Sequence, residues 1–260
     1  MEILKSLILG IVEGVTEFLP ISSTGHLILA GNLISFTGER AKVFEIFIQL
    51  GAILAVVWLY HIKLISVIRE ITMPKAKAFI IKIFLAFLPS AIIGILVHSY
   101  IKYYLFNPTT VAIALIAGGI AIILIEKAVT TGNIQDIDDI SHRLALGIGL
   151  FQVLSLFPGV SRAGATIMGG IILGLDRKVA AEFSFFLAIP TMFAASSFDL
   201  IKGIRYLEAG DIPVFMIGFT AAFASAIIVI KIFLGYIAKH DFTPFGYYRI
   251  IFGIAALLYP

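Results

Sequence analysis

The stretch EGVTEFLPISSTGHLIL, residues 13–29, places two carboxylates, four hydroxyls and a histidine in an otherwise apolar N-terminal region. The apolar run Ile3–Val12 ends too soon to cross a bilayer, because a membrane-spanning helix needs roughly 17–25 residues. Pro20 separates it from a second short run, Leu27–Leu33, and proline removes a backbone donor and disfavours helix in the preceding residue. The stretch therefore predicts two half-helices that enter the membrane and return on the same side.

The composition indicates a membrane protein throughout. The 260 residues are 60% hydrophobic and 13% charged, with a mean hydropathy of +1.06, whereas soluble domains carry about 25% charged residues. Period-two alternation is absent, so we predict an all-α polytopic membrane protein that forms one domain over residues 1–260. The net charge of +3 is small and reflects loop topology rather than nucleic-acid binding.

Six apolar segments are candidates for full crossings. They are Val43–Leu59, Phe79–Val97, Val111–Ile125, Phe183–Ile201, Val214–Ile230 and Phe245–Leu258. The third and the last are short, so we expect flanking residues to extend them. Residues 144–175 form a second interrupted region, broken at Phe157, Pro158 and Gly159, and predict another pair of half-helices. Such breaks are tolerated at membrane depth where protein or a wet cavity covers them.

Matching motifs at similar offsets indicate an internal repeat, from about 1–130 and about 140–260. The matching pairs, at offsets of 138 and 137, are Pro20 with Pro158, Ser23 with Ser161, and Glu45 with Glu182. Each half would hold one re-entrant helix pair and three transmembrane helices. Because three is odd, the second half would be inverted, and inverted repeats place their broken helices near the membrane midplane.

The polar residues of the first break have the chemistry of a site. Glu13 and Glu17 are four residues apart and share a helix face, and ionisable groups inside a membrane are costly and usually functional. Ser22 or Ser23 can cap the half-helix that follows, which places His26 in its first turn. The alternative is that the serines serve only as caps and packing groups.

The second break adds a cation. Ser161 can cap its half-helix, with Arg162 beside it, and two facing helix N-termini with a guanidinium form an anion site suited to phosphate or pyrophosphate. The glutamates would repel that ligand. Either a divalent cation, Mg²⁺ or Ca²⁺, bridges Glu13 and Glu17 to the phosphate oxygens, or one glutamate is held protonated.

Both arrangements indicate phosphoryl chemistry. Ser23 or His26 could attack phosphorus, with a glutamate orienting or deprotonating the nucleophile, and the residues alone do not choose between them. We assign catalysis to Glu13, Glu17, Ser23 and His26, phosphate binding to Ser22, Thr24, Ser161 and Arg162, and the metal to Glu13 and Glu17.

The first motif together with PGVSRAGATI, residues 158–167, resembles the undecaprenyl-pyrophosphate phosphatases of bacteria, also called the bacitracin-resistance family. The similarity covers the whole chain. It implies hydrolysis of undecaprenyl diphosphate to undecaprenyl phosphate and inorganic phosphate, which recycles the lipid carrier for cell-wall synthesis and confers bacitracin resistance. It also implies a bacterial inner-membrane enzyme with a periplasmic site, a divalent-cation requirement and a homodimer.

The resemblance assigns roles to individual residues. Glu13 and Glu17 match the glutamate pair, Ser23 and His26 the hydroxyl and imidazole of the catalytic loop, and Arg162 the phosphate-binding arginine. One position departs from the family pattern, because an alanine follows the arginine where a serine is usual. One phosphate-side hydroxyl is therefore missing.

The loop charges predict an orientation. Basic residues in the predicted loops are more numerous on the side opposite the N-terminus, so the positive-inside rule makes that side cytoplasmic. The first helix pair would then open towards the periplasm or cell exterior.

Two other classes of function stay open. Broken helices in inverted repeats are also the architecture of secondary transporters, so the chain could carry or flip a polyprenyl phosphate, with Glu13 and Glu17 as proton or sodium sites. It could also be a structural partner of the cell-wall machinery, which would need neither Glu17 nor His26. Phosphate release in detergent, where no gradient exists, separates the enzyme from the transporter.

Overall fold

The computed structural model describes residues 2–105, 107–129, 132–206 and 208–258, and in these ranges the chain is helical, without a β-strand. The helices are α1 Glu2–Thr16, α2 Ser23–Leu33, α3 Glu39–Leu59, α4 His61–Arg69, α5 Pro74–Tyr104, α6 Pro108–Ala128, α7 His142–Val153, α8 Arg162–Ile172, α9 Arg177–Gly203, α10 Ile212–Ile237 and α11 Thr243–Leu258. Short 3₁₀ turns occupy Ile137–Asp139, Leu154–Leu156, Ile204–Tyr206 and Ala209–Asp211. The predicted all-α class is confirmed.

Five helices, α3, α5, α6, α9 and α10, are long and apolar enough to cross a bilayer. The chain is therefore a multi-pass membrane protein. All five contain a predicted crossing and extend beyond it; the third prediction grows to the 21 residues of α6 because flanking residues continue the helix. The sixth predicted crossing corresponds to α11, whose 16 residues fall just short of the roughly 17 that a full span requires. That crossing stays a prediction.

Both interrupted regions form pairs of short helices. The first pair, α1 and α2, has 15 and 11 residues, and the second, α7 and α8, has 12 and 11. Pro20 lies in the connection between α1 and α2, and Pro158 lies in the connection between α7 and α8. Proline thus interrupts the helix where the sequence predicts it.

The two ends of each short pair lie side by side. Lys5 near the start of α1 donates a 3.1 Å hydrogen bond to the carbonyl of Ser35, just after α2. In the second pair, Ile134 before α7 donates to the carbonyl of Gly174 at 3.2 Å, and Asp176 donates back to Ile134 at 2.9 Å. Each pair therefore returns to the level at which it starts.

Close helix packing fixes the first pair inside the molecule. The main neighbour of α1 is α10, while α7 packs mainly on α5 and α6 on α11. A Cβ on Gly14 would lie only 2.3 Å from the carbonyl oxygen of Ala222 in α10, so only glycine permits this approach. The Ser6 hydroxyl also donates to the carbonyl of Val214. The first break is therefore held by a helix more than 200 residues further along the chain.

The enclosed centre of the molecule lies around α9. In α9, 61% of the apolar stretch that could cross the membrane is buried inside the protein, against 17% in α5. The large exposed apolar residues of α5 are suited to contact with lipid. Pro158 and Gly159 of the second break are buried, and α8, which follows this break, packs against α9. This meets the requirement for irregular backbone at membrane depth.

Candidate active site

The second helix of each pair begins at a serine with an unusual backbone conformation. Ser22 precedes α2 with a φ of 70°, and Ser161 precedes α8 with a φ of 74°. Residues with a Cβ rarely adopt this left-handed region. Strain of this kind, of the order of 1–3 kcal/mol per residue, persists where the surroundings enforce it and clusters at functional sites.

These two conformations correct the register of the predicted repeat at this point. The sequence pairs Ser23 with Ser161, whereas the backbone pairs Ser22 with Ser161, so SSTG at 22–25 corresponds to SRAG at 161–164. The reason is one extra residue between proline and the helix start in the second break. Matching the prolines therefore shifts the serines by one position.

The predicted caps are half right. The Ser161 hydroxyl accepts a 3.0 Å hydrogen bond from the amide of Gly164 and caps α8. Ser22 occupies the N-cap position of α2, but its side chain makes no capping hydrogen bond, and the Ser23 hydroxyl donates to Glu17 instead. The first-turn amides of α2 are therefore left without a side-chain cap from Ser22. Free amides of this kind are what a helix N-terminus uses to bind an anion.

Glu17 joins the two breaks. Its Oε2 accepts a 2.5 Å hydrogen bond from Ser23 Oγ, and its Oε1 accepts from Arg162 Nη2 at 3.1 Å and Nε at 3.4 Å. Arg162 is held from behind by Ser184 of α9, to whose carbonyl its Nη1 donates at 3.0 Å. The structure therefore brings together three predicted site residues from both halves of the chain, and Glu17 is only 8% exposed.

Glu13 is enclosed completely. It is 0% exposed, and within the described part of the chain neither carboxylate oxygen has a hydrogen-bond partner. The Glu17 amide donates to the Glu13 carbonyl at 2.9 Å, so the helical turn continues past the end of α1 and the two glutamates share a face as predicted. A buried carboxylate without a partner is costly.

The donor set around Glu13 fits a hard divalent cation only in part. Carboxylate oxygens are the ligands that Mg²⁺ and Ca²⁺ prefer, and both Glu13 oxygens are uncommitted. The described residues contain no cluster of three or more metal-binding side chains. A cation here would therefore take its other ligands from Glu17, water and phosphate, which is how Mg²⁺ is commonly held.

The His26 ring is committed to other partners. Its Nδ1 lies 2.7 Å from the Ser22 carbonyl oxygen and therefore donates, so in the neutral ring Nε2 accepts from the Tyr248 hydroxyl, also at 2.7 Å. The ring stacks on Phe252 with centroids 4.0 Å apart. No hydrogen bond joins His26 to Glu17 or Ser23 in the structure, so the imidazole lies at the α11 side of the site.

The remaining predicted position and the family departure lie close by. Thr24, in the first turn of α2, is half-buried and its hydroxyl has no protein partner among the described residues, so it is free to contact a ligand. Ala163, at the position where the resemblance implies a serine, is fully buried.

Three residues at the site escape the sequence argument: Ser184, Tyr248 and Arg249. Ser184 and Tyr248 carry no signal in the sequence, because neither is ionisable at neutral pH and each lies in an apolar helix. Arg249 does carry one, since it is the one charged residue in the predicted crossing Phe245–Leu258 and intramembrane charges are usually functional.

The fold and this site together define the class of protein. It is a multi-pass helical membrane protein with a buried carboxylate, hydroxyl and guanidinium at two broken helix pairs. The family described as "Bacitracin resistance protein BacA" matches residues 6–255, and this chain belongs to that family.

Curated relatives cover nearly the whole chain. The undecaprenyl-diphosphatase of Nitrosomonas europaea is 54% identical over 98% of this chain and 94% of its own length. The undecaprenyl-diphosphatase 2 of Paramagnetospirillum magneticum is 52% identical over 96% of both chains. The undecaprenyl-diphosphatase of Methylobacillus flagellatus is 50% identical over 99% of this chain and 97% of its own.

Proposed function

We propose that this chain is an integral-membrane undecaprenyl-diphosphatase, which hydrolyses undecaprenyl diphosphate to undecaprenyl phosphate and inorganic phosphate. The names of relatives at 50–54% identity over nearly the full length support the substrate. The observation that carries the chemistry is the hydrogen bond from Ser23 to Glu17, whose other oxygen binds Arg162. A nucleophile, a base and an anion-binding group are thereby joined in one buried cluster.

Ser23 is the nucleophile that the geometry favours over His26. Its hydroxyl already donates to a carboxylate, whereas both nitrogens of His26 are occupied by Ser22 and Tyr248. The Ser23 oxygen would bond to the terminal phosphorus as the bridging P–O bond breaks, and the hydroxyl proton would pass to Glu17. Undecaprenyl phosphate leaves, and water then hydrolyses the phosphoserine to release inorganic phosphate and restore the serine.

Arg162 would hold the terminal phosphate. A guanidinium binds phosphate oxygens through two parallel hydrogen bonds, and the Ser184 contact fixes its direction. In the substrate-free arrangement Glu17 occupies that fork, so phosphate would exchange with one carboxylate oxygen. The amides at the start of α2, the Thr24 hydroxyl and the helix capped by Ser161 would supply further donors.

Glu13 and Glu17 would hold a divalent cation, Mg²⁺ or Ca²⁺. Such a cation, when bound, offsets the repulsion between carboxylates and pyrophosphate and polarises the phosphoryl oxygens. This proposal rests on the two uncommitted oxygens of Glu13, buried directly beside the cluster. Arg162 by itself is one positive charge against a multiply charged anion.

The inverted repeat is also part of the proposal. In its support, α1 packs on α10 and α7 packs on α5, so the first short helix of each half lies on a long helix of the other half. The central contact of α6 with α11 joins the last helices of both halves. An approximate two-fold relation between residues 1–130 and 140–260 accounts for all three contacts.

The proposed cellular role is supported by the family. We place the enzyme in the bacterial cytoplasmic membrane with its site facing the periplasm or cell exterior, where it recycles the carrier lipid for cell-wall synthesis and confers bacitracin resistance. The homodimer that the family implies stays a prediction.

The function is tested by release of inorganic phosphate from undecaprenyl diphosphate by purified protein in detergent. The native chain should turn over without any gradient, and Ser23→Ala should not. A transporter or a structural partner would release no phosphate, and no contact among the described residues favours either of them.

A further inference from the structure

Arg249 of α11 is buried without a counter-charge. It is 1% exposed, and no ion pair of Arg249 occurs in the described residues. Its five N–H groups each have one acceptor, all main-chain carbonyl oxygens at 2.9 to 3.2 Å, which belong to Pro20, Ala114, Leu115, Gly159 and Val160. Every donor of the guanidinium is therefore used within the protein.

The five carbonyls come from three separate parts of the fold. Pro20 lies in the first connection, Gly159 and Val160 lie in the second, and the other two belong to α6. Nη1 binds Pro20 and Val160 at the same time, at 3.1 and 2.9 Å. One nitrogen thus joins the two breaks, just before the serines that start α2 and α8.

The surroundings leave room for this guanidinium and for little else. A Cβ on Gly118 of α6 would lie 2.2 Å from Arg249 Nη2, and one on Gly164 would lie 3.2 Å from Nη1. Gly164 is the residue whose amide Ser161 caps. The guanidinium therefore also contacts the first turn of α8.

Stability alone is a weak reason for such a residue. Burying a charge costs more than burying an apolar side chain of similar volume, and replacing buried ionic groups with apolar ones is often neutral or stabilising. Arg177 shows the ordinary arrangement, because it pairs with the Glu126 carboxylate at 2.5 Å and remains partly exposed. Arg249 instead uses all of its donors to fix irregular backbone on both sides of the site.

We infer that Arg249 is a positioning residue for phosphoryl transfer, which holds the two broken connections together so that Ser23 and Glu17 meet Arg162. It acts through the carbonyls of both breaks and does not touch the phosphate. This inference rests on the site proposed above. Its consequence is that loosening Arg249 should misplace the nucleophile relative to Glu17 and Arg162.

Kinetics of Arg249→Lys and Gly118→Ala test the inference. Lysine keeps the charge but has three donors on a single nitrogen, and the alanine methyl would push Nη2 from its place while favouring the α6 helix. Each should lower kcat at least about 100-fold, as a displacement of about 1 Å at a reacting group does. KM for undecaprenyl diphosphate should change less than kcat does, because the displacement affects the alignment of the reacting groups more than the binding of the substrate.

Arg177→Lys is the matched control, since that arginine binds Glu126 away from the site. It should lower the melting temperature in detergent less than Arg249→Lys does, because a partly exposed lysine can still pair with Glu126, and it should leave kcat within about threefold of native. The positioning role would be overturned if kcat fell only in proportion to the fraction of unfolded protein, and equally in both arginine variants. If Arg249→Lys does not fold, Gly118→Ala alone decides by the same criteria.

A distance measurement separates this inference from the proposed site. The chain has no cysteine, so spin labels at Leu33→Cys and Phe157→Cys, both exposed positions, report the separation of α2 from the second connection by double electron–electron resonance. The distribution should broaden in folded Arg249→Lys and Gly118→Ala and stay narrow in Arg177→Lys and Ser23→Ala. Unchanged distances in Arg249→Lys and Gly118→Ala would refute the positioning role, even if the catalytic assignment of Ser23 is correct. An active Ser23→Ala would refute the assignment of Ser23 and would leave the distances unaffected.

Discussion

The Ser23 hydroxyl oxygen lies 2.5 Å from Glu17 Oε2, across the connection between α1 and α2 that contains Pro20. This is at the short end for hydrogen bonds from a hydroxyl to a carboxylate, which are charge-assisted. Glu17 follows the end of α1 and Ser23 begins α2, so the bond closes the break on itself. It gives the serine a defined direction and its proton a defined acceptor.

Ser23→Ala should abolish the reaction. Without the hydroxyl no covalent intermediate forms, and kcat should fall more than about 10³-fold. Acid quenching during turnover of substrate labelled with radioactive terminal phosphate should trap an acid-stable phosphoserine in the native chain and nothing in the variant. Ser155→Ala is the matched control, because that hydroxyl donates to the Gln152 carbonyl and lies outside the cluster. An acid-labile phosphoenzyme that persists in Ser23→Ala would make His26 the nucleophile.

Arg162→Lys should lose most activity although the charge is kept. Lysine has no planar fork for bidentate phosphate binding, and loss of one such donor costs about 10²–10³-fold in kcat. The substitution would also leave Glu17 Oε1 with a single-point partner. Steady-state kinetics check this prediction. Arg177→Lys is the control variant, because the native Arg177 pairs with Glu126 instead. Near-native turnover of Arg162→Lys would mean that Arg162 does not grip phosphate.

Metal removal should stop turnover. Excess chelator should abolish phosphate release, and added Mg²⁺ or Ca²⁺ should restore it, because the two glutamates need an offsetting charge beside pyrophosphate. Glu13→Gln should raise the metal concentration for half-maximal activity at least about tenfold, equivalent to ~1.4 kcal/mol. Glu182→Gln, which changes a carboxylate bound by Tyr60 instead, should not. Hydrolysis that continues undiminished in chelator would leave a protonated glutamate as the better account.

Tyr248→Phe should have a small effect. It removes one hydrogen bond from His26 Nε2, worth about 0.5–1.5 kcal/mol, and keeps the ring stack with Phe252. We expect kcat to fall less than about tenfold. In the same assay, the kcat of His26→Gln should fall further, because this variant also loses the ring stack with Phe252 and the hydrogen bond to the Ser22 carbonyl. A loss of more than about 10³-fold in Tyr248→Phe would assign a proton-transfer role to the phenol instead.

The first helix pair should open to one face. Cysteines introduced at Lys5 and Arg40 should both react with a membrane-impermeant reagent added from the same side. The Lys5 contact with Ser35 places the start of α1 beside the end of α2. Labelling from opposite faces would contradict the re-entrant pair and, with it, the inverted repeat.

Much of the fold could be predicted because lipid imposes simple rules. Apolar length alone locates five crossings, and proline at positions 20 and 158 locates both breaks. The ends of the helices were less predictable, since residues such as Pro74–Lys77 continue α5 beyond the apolar run. Helix length in these flanks depends on capping and packing rather than on hydrophobicity.

The sequence predicts which polar residues could form a site but not how they are arranged. Glu17, Ser23 and Arg162 stand out as polar groups in apolar surroundings, yet nothing in the sequence says that Glu17 takes both of the other two as partners. Tyr248 was beyond reach, because all membrane helices present similar apolar faces and their neighbours cannot be read from periodicity. The serine register also failed, since an extra residue in one connection is invisible when prolines are matched.

The close approach of Gly14 to α10 has a consequence for biosynthesis. The docking surface for α1 is made more than 200 residues after α1 itself, as the bond from Ser6 to Val214 shows. At about 5–20 residues per second, α10 emerges roughly 10–40 s later. During that interval the two glutamates of the first pair are inside or beside the membrane without the helix that packs against them, so the nascent chain depends on the insertion machinery to shelter these carboxylates until the C-terminal half arrives.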